Sequence, residues 1–261
     1  MTRKATFRFP LLLGFKQGVQ AQQFHRLGDF LLSAKLSSYG VYGNDIDITC
    51  EPKNAHNRTI LWNCLAKVTL STVPLPCYDD LVTELKLFRN NDRNLRFSTL
   101  TNFLSCNVHI EIVESIYADL SEPNNPLIDG LEDATHFKAD GVEMYLSKKV
   151  LGFHSHFFHN MFNGNFEEET KDFYELKDIN ADDFLRFLGI IHAIDLSVDV
   201  DSVESLLYLG NVFHCKLVLR LCEDYLLNLT EEETDSEKKL DITRRYKLNR
   251  VLLGKMALKR E

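Results

Sequence analysis

Tryptophan occurs once in the 261 residues and proline six times, and no apolar run approaches the roughly 18 residues a membrane-crossing helix needs. Positive charge is in deficit: the formal net charge is −8 with a pI near 5.6, which argues against whole-protein attraction to nucleic acid or an anionic membrane. The six cysteines lie far apart without a Cys-x-x-Cys pair, so neither a zinc site nor a redox dithiol is indicated, and buried free thiols are expected. Gly-x-Ser-x-Gly, His-Glu-x-x-His and glycine-rich phosphate loops are all missing, which leaves no catalytic residue, cofactor-binding residue or metal ligand to nominate.

Arg3, Lys4 and Arg8 precede the apolar stretch from Phe9 to Phe15, as in a secretory leader. Pro10 and Gly14 interrupt that stretch, however, and Lys16-Gln17-Gly18 follows it in place of a small-residue cleavage site. An intracellular protein, cytoplasmic or nuclear, is expected, and the sequons at Asn57 and Asn228 are read as chance matches.

What is present has ordinary globular composition, 44% hydrophobic and 26% charged, with room for two modest cores. From about residue 30 to 114 the dominant period is two. Ile60, Trp62, Cys64, Ala66, Val68 and Leu70 share one face of an extended segment, and shorter alternation recurs in residues 46–50, 85–87 and 108–112. Several short strands separated by turn residues predict an antiparallel β-sandwich. Ser121-Glu122-Pro123-Asn124-Asn125-Pro126 reads as a linker.

Beyond the linker the pattern becomes helical. A hairpin turning at Asp140-Gly141 is followed by helices capped at Ser147 and Ser155, a short strand near Tyr174, and a helix capped at Asn180. Asp201 and Glu204 have capping-box spacing ahead of a final helix pair that runs through Tyr225. An acidic break, residues 231–235, separates this region from a basic tail in which Leu248, Val251, Leu252 and Met256 line one face. The expected organisation is an N-terminal segment (1–20), a β-sandwich (21–120), a linker (121–130), a mostly helical unit with a small sheet (131–228) and the tail (229–261), giving an α+β chain.

The residues of the helical unit resemble a known family. Asp133-Ala134-Thr135, the segment Met144 to Leu151, Ser155-His156-Phe157-Phe158 with Met161-Phe162, and Leu221-Cys222-Glu223-Asp224-Tyr225-Leu226 are similar to successive signatures of the BTB (POZ) domain over about 95 residues. Met144 and Tyr145 depart from the family's usual Phe and His, and His192-Ala193-Ile194-Asp195 stands where the family has a Tyr-Thr-Gly turn. More loosely, Leu61-Trp62-Asn63-Cys64 and the domain order resemble a MATH (TRAF-like) sandwich, although the late Trp-Gly element of that family is absent.

The resemblance implies homodimerisation, with Val150, Leu151 and Phe153 as interface candidates, and it implies recruitment of cullin-3 in a ubiquitin ligase. The cullin-contact candidates are Phe166, Glu167 and Glu168, in the loop position where the family's adaptors carry a hydrophobic-x-Glu motif. The β-rich half would then capture a protein substrate. The alternatives are a BTB interaction or transcription-associated protein without a ligase role, and an enzyme with an unrecognised pocket.

The histidines at 154, 156 and 159 form the densest candidate metal cluster, but only His156 and His159 have the spacing to converge on one helical face. The run Glu167-Glu168-Glu169 is read as solvated, and the tail's basic residues as a helix face packing on the end of the helical unit.

Overall fold

The computed structural model describes residues 3–10, 20–38, 43–74, 80–99, 103–163, 173–229, 236–248 and 250–251. The chain divides into two compact units between Tyr117 and Ala118.

The first unit is a sandwich of two four-stranded sheets. One has the order β1 (Arg3–Pro10), β8 (Phe103–Asp119), β5 (Ile60–Pro74), β6 (Asp80–Arg89), and the other β2 (Gln20–Leu27), β3 (Phe30–Ser38), β4 (Asn44–Pro52), β7 (Asn94–Thr99). Period two explains the core. All six alternating residues from Ile60 to Leu70 are buried, and they join Phe7 of β1, Phe30 and Leu32 of β3, Ile46 and Ile48 of β4, and Val108 and Ile110 of β8 in one apolar cluster. Trp62 lies within it, its indole N–H donating to Asn90 Oδ1 at 2.6 Å, so the one polar atom of the side chain is satisfied.

One expectation changes here, and one is completed. Residues 3–10, set apart by the sequence pattern as part of a lead-in, pair antiparallel with β8 from Arg3↔Ile112 to Pro10↔Ser105 and place Ala5, Phe7 and Phe9 in the core. The alternation in residues 85–87 marks the solvent side and not the core side. Leu85 and Leu87 oppose Lys67 and Leu65, whereas Lys86 and Phe88 lie on the side of buried Ala66 and Cys64. Alternation identifies a two-faced strand without saying which face is inside.

The second unit opens with a turn-rich stretch that is fixed in place. Asn125, in the predicted linker, is buried and donates from Nδ2 to Glu122 O (2.9 Å) and Tyr145 O (3.0 Å), while Tyr145 N–H donates to Leu120 O. β9 (Ala134–Ala139) and β10 (Val142–Ser147) form the expected hairpin, with Asp140 at φ 48° and Gly141 at φ 75° as the positive-φ pair a tight hairpin turn requires. β11 (Tyr174–Leu176) adds to β9 in parallel, completing a three-stranded sheet in the order β10-β9-β11.

Among the described residues, α1 (Lys148–His154) and α2 (His156–Asn163) lie between the hairpin and β11, and α3 (Ala181–Ile191), α4 (Val203–Val212) and α5 (Lys216–Asn228) follow β11. Asn180 caps α3, as its sequence position predicts, accepting the N–H groups of Asp182 and Asp183. At α4 the N-cap position falls on Ser202 and not Asp201, and its side chain makes no cap bond to the helix. Asp199 Oδ1 accepts the N–H groups of Asp201 and Ser202, and Ser202 Oγ accepts Asp199 N–H. Gly210 lies where α4 meets α5: an added Cβ would come within 2.8 Å of the Leu219 side chain.

The tail packs on this unit. α6 (Ser236–Arg245) contributes buried Ile242, and Leu248 and Val251 are buried beyond it, whereas Leu252 and Met256 lie outside the described residues. Arg245 pairs with Glu204 of α4 and Asp241 of its own helix, and Arg250 pairs with Glu223 (3.5 Å) and Asp224 (2.8 Å) of α5. Part of the tail's positive charge is thus matched by acidic residues of the helical unit.

Candidate protein-interaction surface

Asp133 and Ser147 build the start of α1. Ser147 Oγ donates to Asp133 Oδ2 at 2.7 Å and accepts Val150 N–H, while Asp133 Oδ1 accepts Lys149 N–H at 2.9 Å. Burial alone would push the Asp133 carboxyl up. The hydrogen bonds from Ser147, Lys149 and Asp129, with the charge of Lys149, outweigh it and hold the group below its ordinary value. A carboxylate at a helix N-terminus is also favoured by the helix dipole.

Ser155 plays the matching part at α2. Its hydroxyl accepts Phe158 N–H at 3.2 Å and donates to the carbonyl of Phe213, the residue that ends α4. Phe158 is thereby aimed into a cluster with Phe213 (4.7 Å between ring centroids), Phe137 (5.6 Å) and, through Phe213, Phe184 and Phe187. The residues Ser155, Phe157 and Phe158 have distinct positions: the serine and Phe158 are buried, whereas Phe157 touches Phe213 and remains 40% exposed.

The interface candidates separate in the same way. Leu151 is fully buried within the unit, Val150 is half-buried, and Phe153 projects from α1 at 84% exposure with the His154 ring packed edge-on against it. Leu131, 77% exposed, is a second large apolar side chain of this unit in contact with solvent. The cullin-contact candidates Phe166, Glu167 and Glu168 lie outside the described residues.

His192 follows α3 at the departure from the family turn. The helix ends in a left-handed residue, Ala193 (φ 53°), and Ile194 N–H returns to Gly189 O, the bond pattern of a glycine-type C-cap built without glycine. Burial, reinforced by the neighbouring His154, pushes the His192 imidazole down to about 4, and its Nε2 is buried without a hydrogen-bond partner among the described residues. His156 and His159 rings lie 6.3 Å apart, and among the described residues no group of three His, Cys, Asp or Glu could hold a metal ion.

The described cysteines are free and buried, with Cys106 and Cys222 pushed up to about 12 by burial, far from the range of a reactive thiolate. Cys77 lies outside the described residues. No helix among them is long and apolar enough to cross a membrane. Sequence reading missed the apolar outer face of β6, where Leu81, Leu85 and Leu87 are exposed, because short alternation was its only signal.

Residues 132–230 match the BTB/POZ domain family, which spans the hairpin, β11 and helices α1 to α5. This segment is a BTB/POZ domain. The departures at Met144 and Tyr145 are accommodated within it: Met144 is buried, and Tyr145 stacks on His136 at 4.6 Å.

Among relatives, BTB and MATH domain-containing protein 38 of Caenorhabditis elegans is 31% identical over 114 residues, covering 44% of this chain and 28% of that protein. BTB and MATH domain-containing protein 45 of the same organism is 29% identical over 109 residues, 42% of this chain and 22% of that protein. Human Kelch-like protein 7 is 32% identical over 94 residues, 36% of this chain and 15% of that protein. The matched segments therefore span less than a third of these relatives' lengths. A β-rich unit ahead of a BTB/POZ domain is consistent with a MATH–BTB arrangement.

Proposed function

We propose that this chain is a protein-interaction adaptor in which the BTB/POZ domain self-associates and engages cullin-3 while the β-sandwich captures a protein substrate for ubiquitination. The observation that carries this reading is a BTB/POZ domain placed after a separate β-sandwich, in a chain similar to BTB and MATH domain-containing and Kelch-like proteins. Phe153, exposed on α1, is an apolar side chain held by a helix, which suits protein recognition. The expected setting is intracellular.

Self-association is assigned to α1 and the adjoining hairpin, with Phe153 as the anchor, since covering a phenylalanine removes apolar area worth roughly 1.5 to 3 kcal/mol from water. Leu151 supports it from below by fixing α1 to the core, and Val150 flanks it. The cullin contact is assigned to Phe166 with Glu167 and Glu168, an apolar plug beside carboxylates.

Binding of the purified full chain to the N-terminal region of cullin-3 tests this assignment. Phe166→Ala with Glu168→Ala is expected to weaken binding at least about tenfold, the loss of roughly 1.4 kcal/mol. In the same preparation Phe153→Asp is expected to lower the solution mass. Binding unchanged by the double substitution removes the loop assignment. No cullin binding by a self-associated wild-type chain favours a BTB interaction protein without a ligase role.

A further inference from the structure

The outer strands of the sandwich are finished differently. β7, at the edge of one sheet, is polar on its outer face: Arg96 pairs with Asp47 at 2.5 Å and with Asp45 at 3.8 Å, and Ser98 donates to Asp45. β6, at the edge of the other, turns Leu81 (67% exposed), Leu85 (65%) and Leu87 (38%) to solvent on its outer face. A ten-residue edge strand with that face is a template for another strand unless something covers it.

The sequence of β6 is complementary to itself. In an antiparallel pair centred on Leu85, that residue meets Leu85 of the second copy, each Glu84 faces the other copy's Lys86, and each Leu87 lies diagonal to Leu85 and Leu81. Sliding the register to the next same-face alignment sets Glu84 against Glu84 in one direction and Lys86 against Lys86 in the other, and like charges directly opposite are destabilising. Lys86 is already held by both oxygens of Asp92 at 2.6 Å, so its ammonium is positioned beside the edge and retains a donor for a second carboxylate.

We propose that β6 pairs antiparallel with β6 of a second copy of this chain, in the register centred on Leu85, joining two four-stranded sheets into one of eight. This interface is isologous and lies in the other unit from the one assigned to Phe153, so occupation of both would link dimers into larger assemblies.

The test uses the full chain carrying Leu85→Cys or, as a matched control of equal exposure, Leu81→Cys, treated with glutathione disulfide. Two protein thiols are oxidised to one interchain disulfide as the glutathione disulfide is reduced to two glutathione thiols. Opposed residues have Cα atoms about 4.5 to 5.5 Å apart, within reach of a disulfide. The two copies of position 81 are separated by about 27 Å along the strands.

A covalent dimer is expected for Leu85→Cys at a yield at least about fivefold that for Leu81→Cys. Glu84→Lys added to Leu85→Cys should suppress it, and Lys86→Glu added to both should restore it. Equal yields at the two positions, or a yield indifferent to Glu84→Lys, overturn the proposal and leave the edge to a strand from another protein. Neither outcome depends on cullin binding.

Discussion

The sandwich and the BTB/POZ unit secure their cores by different means. In the sandwich, Trp62 shares one core with side chains drawn from strands far apart in sequence, and its ring packs on Phe30 at 5.8 Å. In the BTB/POZ unit, Phe137, Phe158, Phe184, Phe187 and Phe213 touch one another, and Ser155 ties the start of α2 to the carbonyl of Phe213. One core depends on the register of many strands, and the other on a small aromatic cluster locked to helix ends. Damage to the second should therefore be concentrated at a few positions.

The largest expected effect tests that contrast. Phe213→Ala removes a side chain that contacts four other rings, Phe157, Phe158, Phe184 and Phe187. The expected cost is about 3 to 5 kcal/mol, a large share of the stability of a domain. Helical circular dichroism reports the BTB/POZ unit, and the fluorescence of Trp62, the one tryptophan in the chain, reports the sandwich. The helical unfolding midpoint should fall while the Trp62 midpoint stays in place. An equal shift of both would show that the two cores unfold as one cooperative body, and the comparison would fail.

A second contrast is in pH response. Because His192 is pushed down to about 4 in the folded state, chiefly by burial, the unfolded chain binds its proton first as pH falls. Its contribution is fully present above about pH 6.5, decreases through the interval down to about pH 4, and levels off below. The whole shift corresponds to about 3 kcal/mol, an order of magnitude for one buried imidazole. His154, also lowered by burial, acts in the same direction more weakly. His192→Gln should flatten the pH dependence of the helical transition between pH 6.5 and 4 and leave that of Trp62 fluorescence unchanged. A slope identical to wild type would remove His192 as the source.

These differences also explain what could be read in the sequence. Caps at Ser147, Ser155 and Asn180 and the Asp140-Gly141 turn are local chemistry, so four or five residues suffice to recognise each. Faces of strands are settled by partners distant in the chain. The six-residue alternation of β5 identified its buried face correctly because Trp62 and its neighbours are unambiguous, whereas residues 85–87 are too few to distinguish an inward from an outward apolar row. β1 was missed although Ala5, Phe7 and Phe9 alternate with Thr6 and Arg8: the segment was read with the apolar stretch that follows it, and its partner β8 is distant in the chain, from Arg3↔Ile112 to Pro10↔Ser105. Of the interface candidates, α1 could be located by sequence, but only its packing shows Leu151 buried and Phe153 projecting.

The smallest expected effect lies at the departure from the family's Tyr-Thr-Gly turn. Ala193 occupies the left-handed position after α3 at φ 53°, where a Cβ crowds the following carbonyl at a cost of roughly 1 to 2 kcal/mol. Glycine relieves that strain and gives back part of the gain through greater freedom in the unfolded chain, roughly 0.4 to 1 kcal/mol. Ala193→Gly should therefore stabilise the BTB/POZ unit by about 0.5 to 1 kcal/mol, read as a rise in the helical midpoint with no movement of Trp62 fluorescence. The residue is exposed, so little packing is lost with its methyl group. A destabilised variant would mean that the bonds from Ile194 and Asp195 N–H to Gly189 O, and not the conformation of residue 193, limit the stability of this turn.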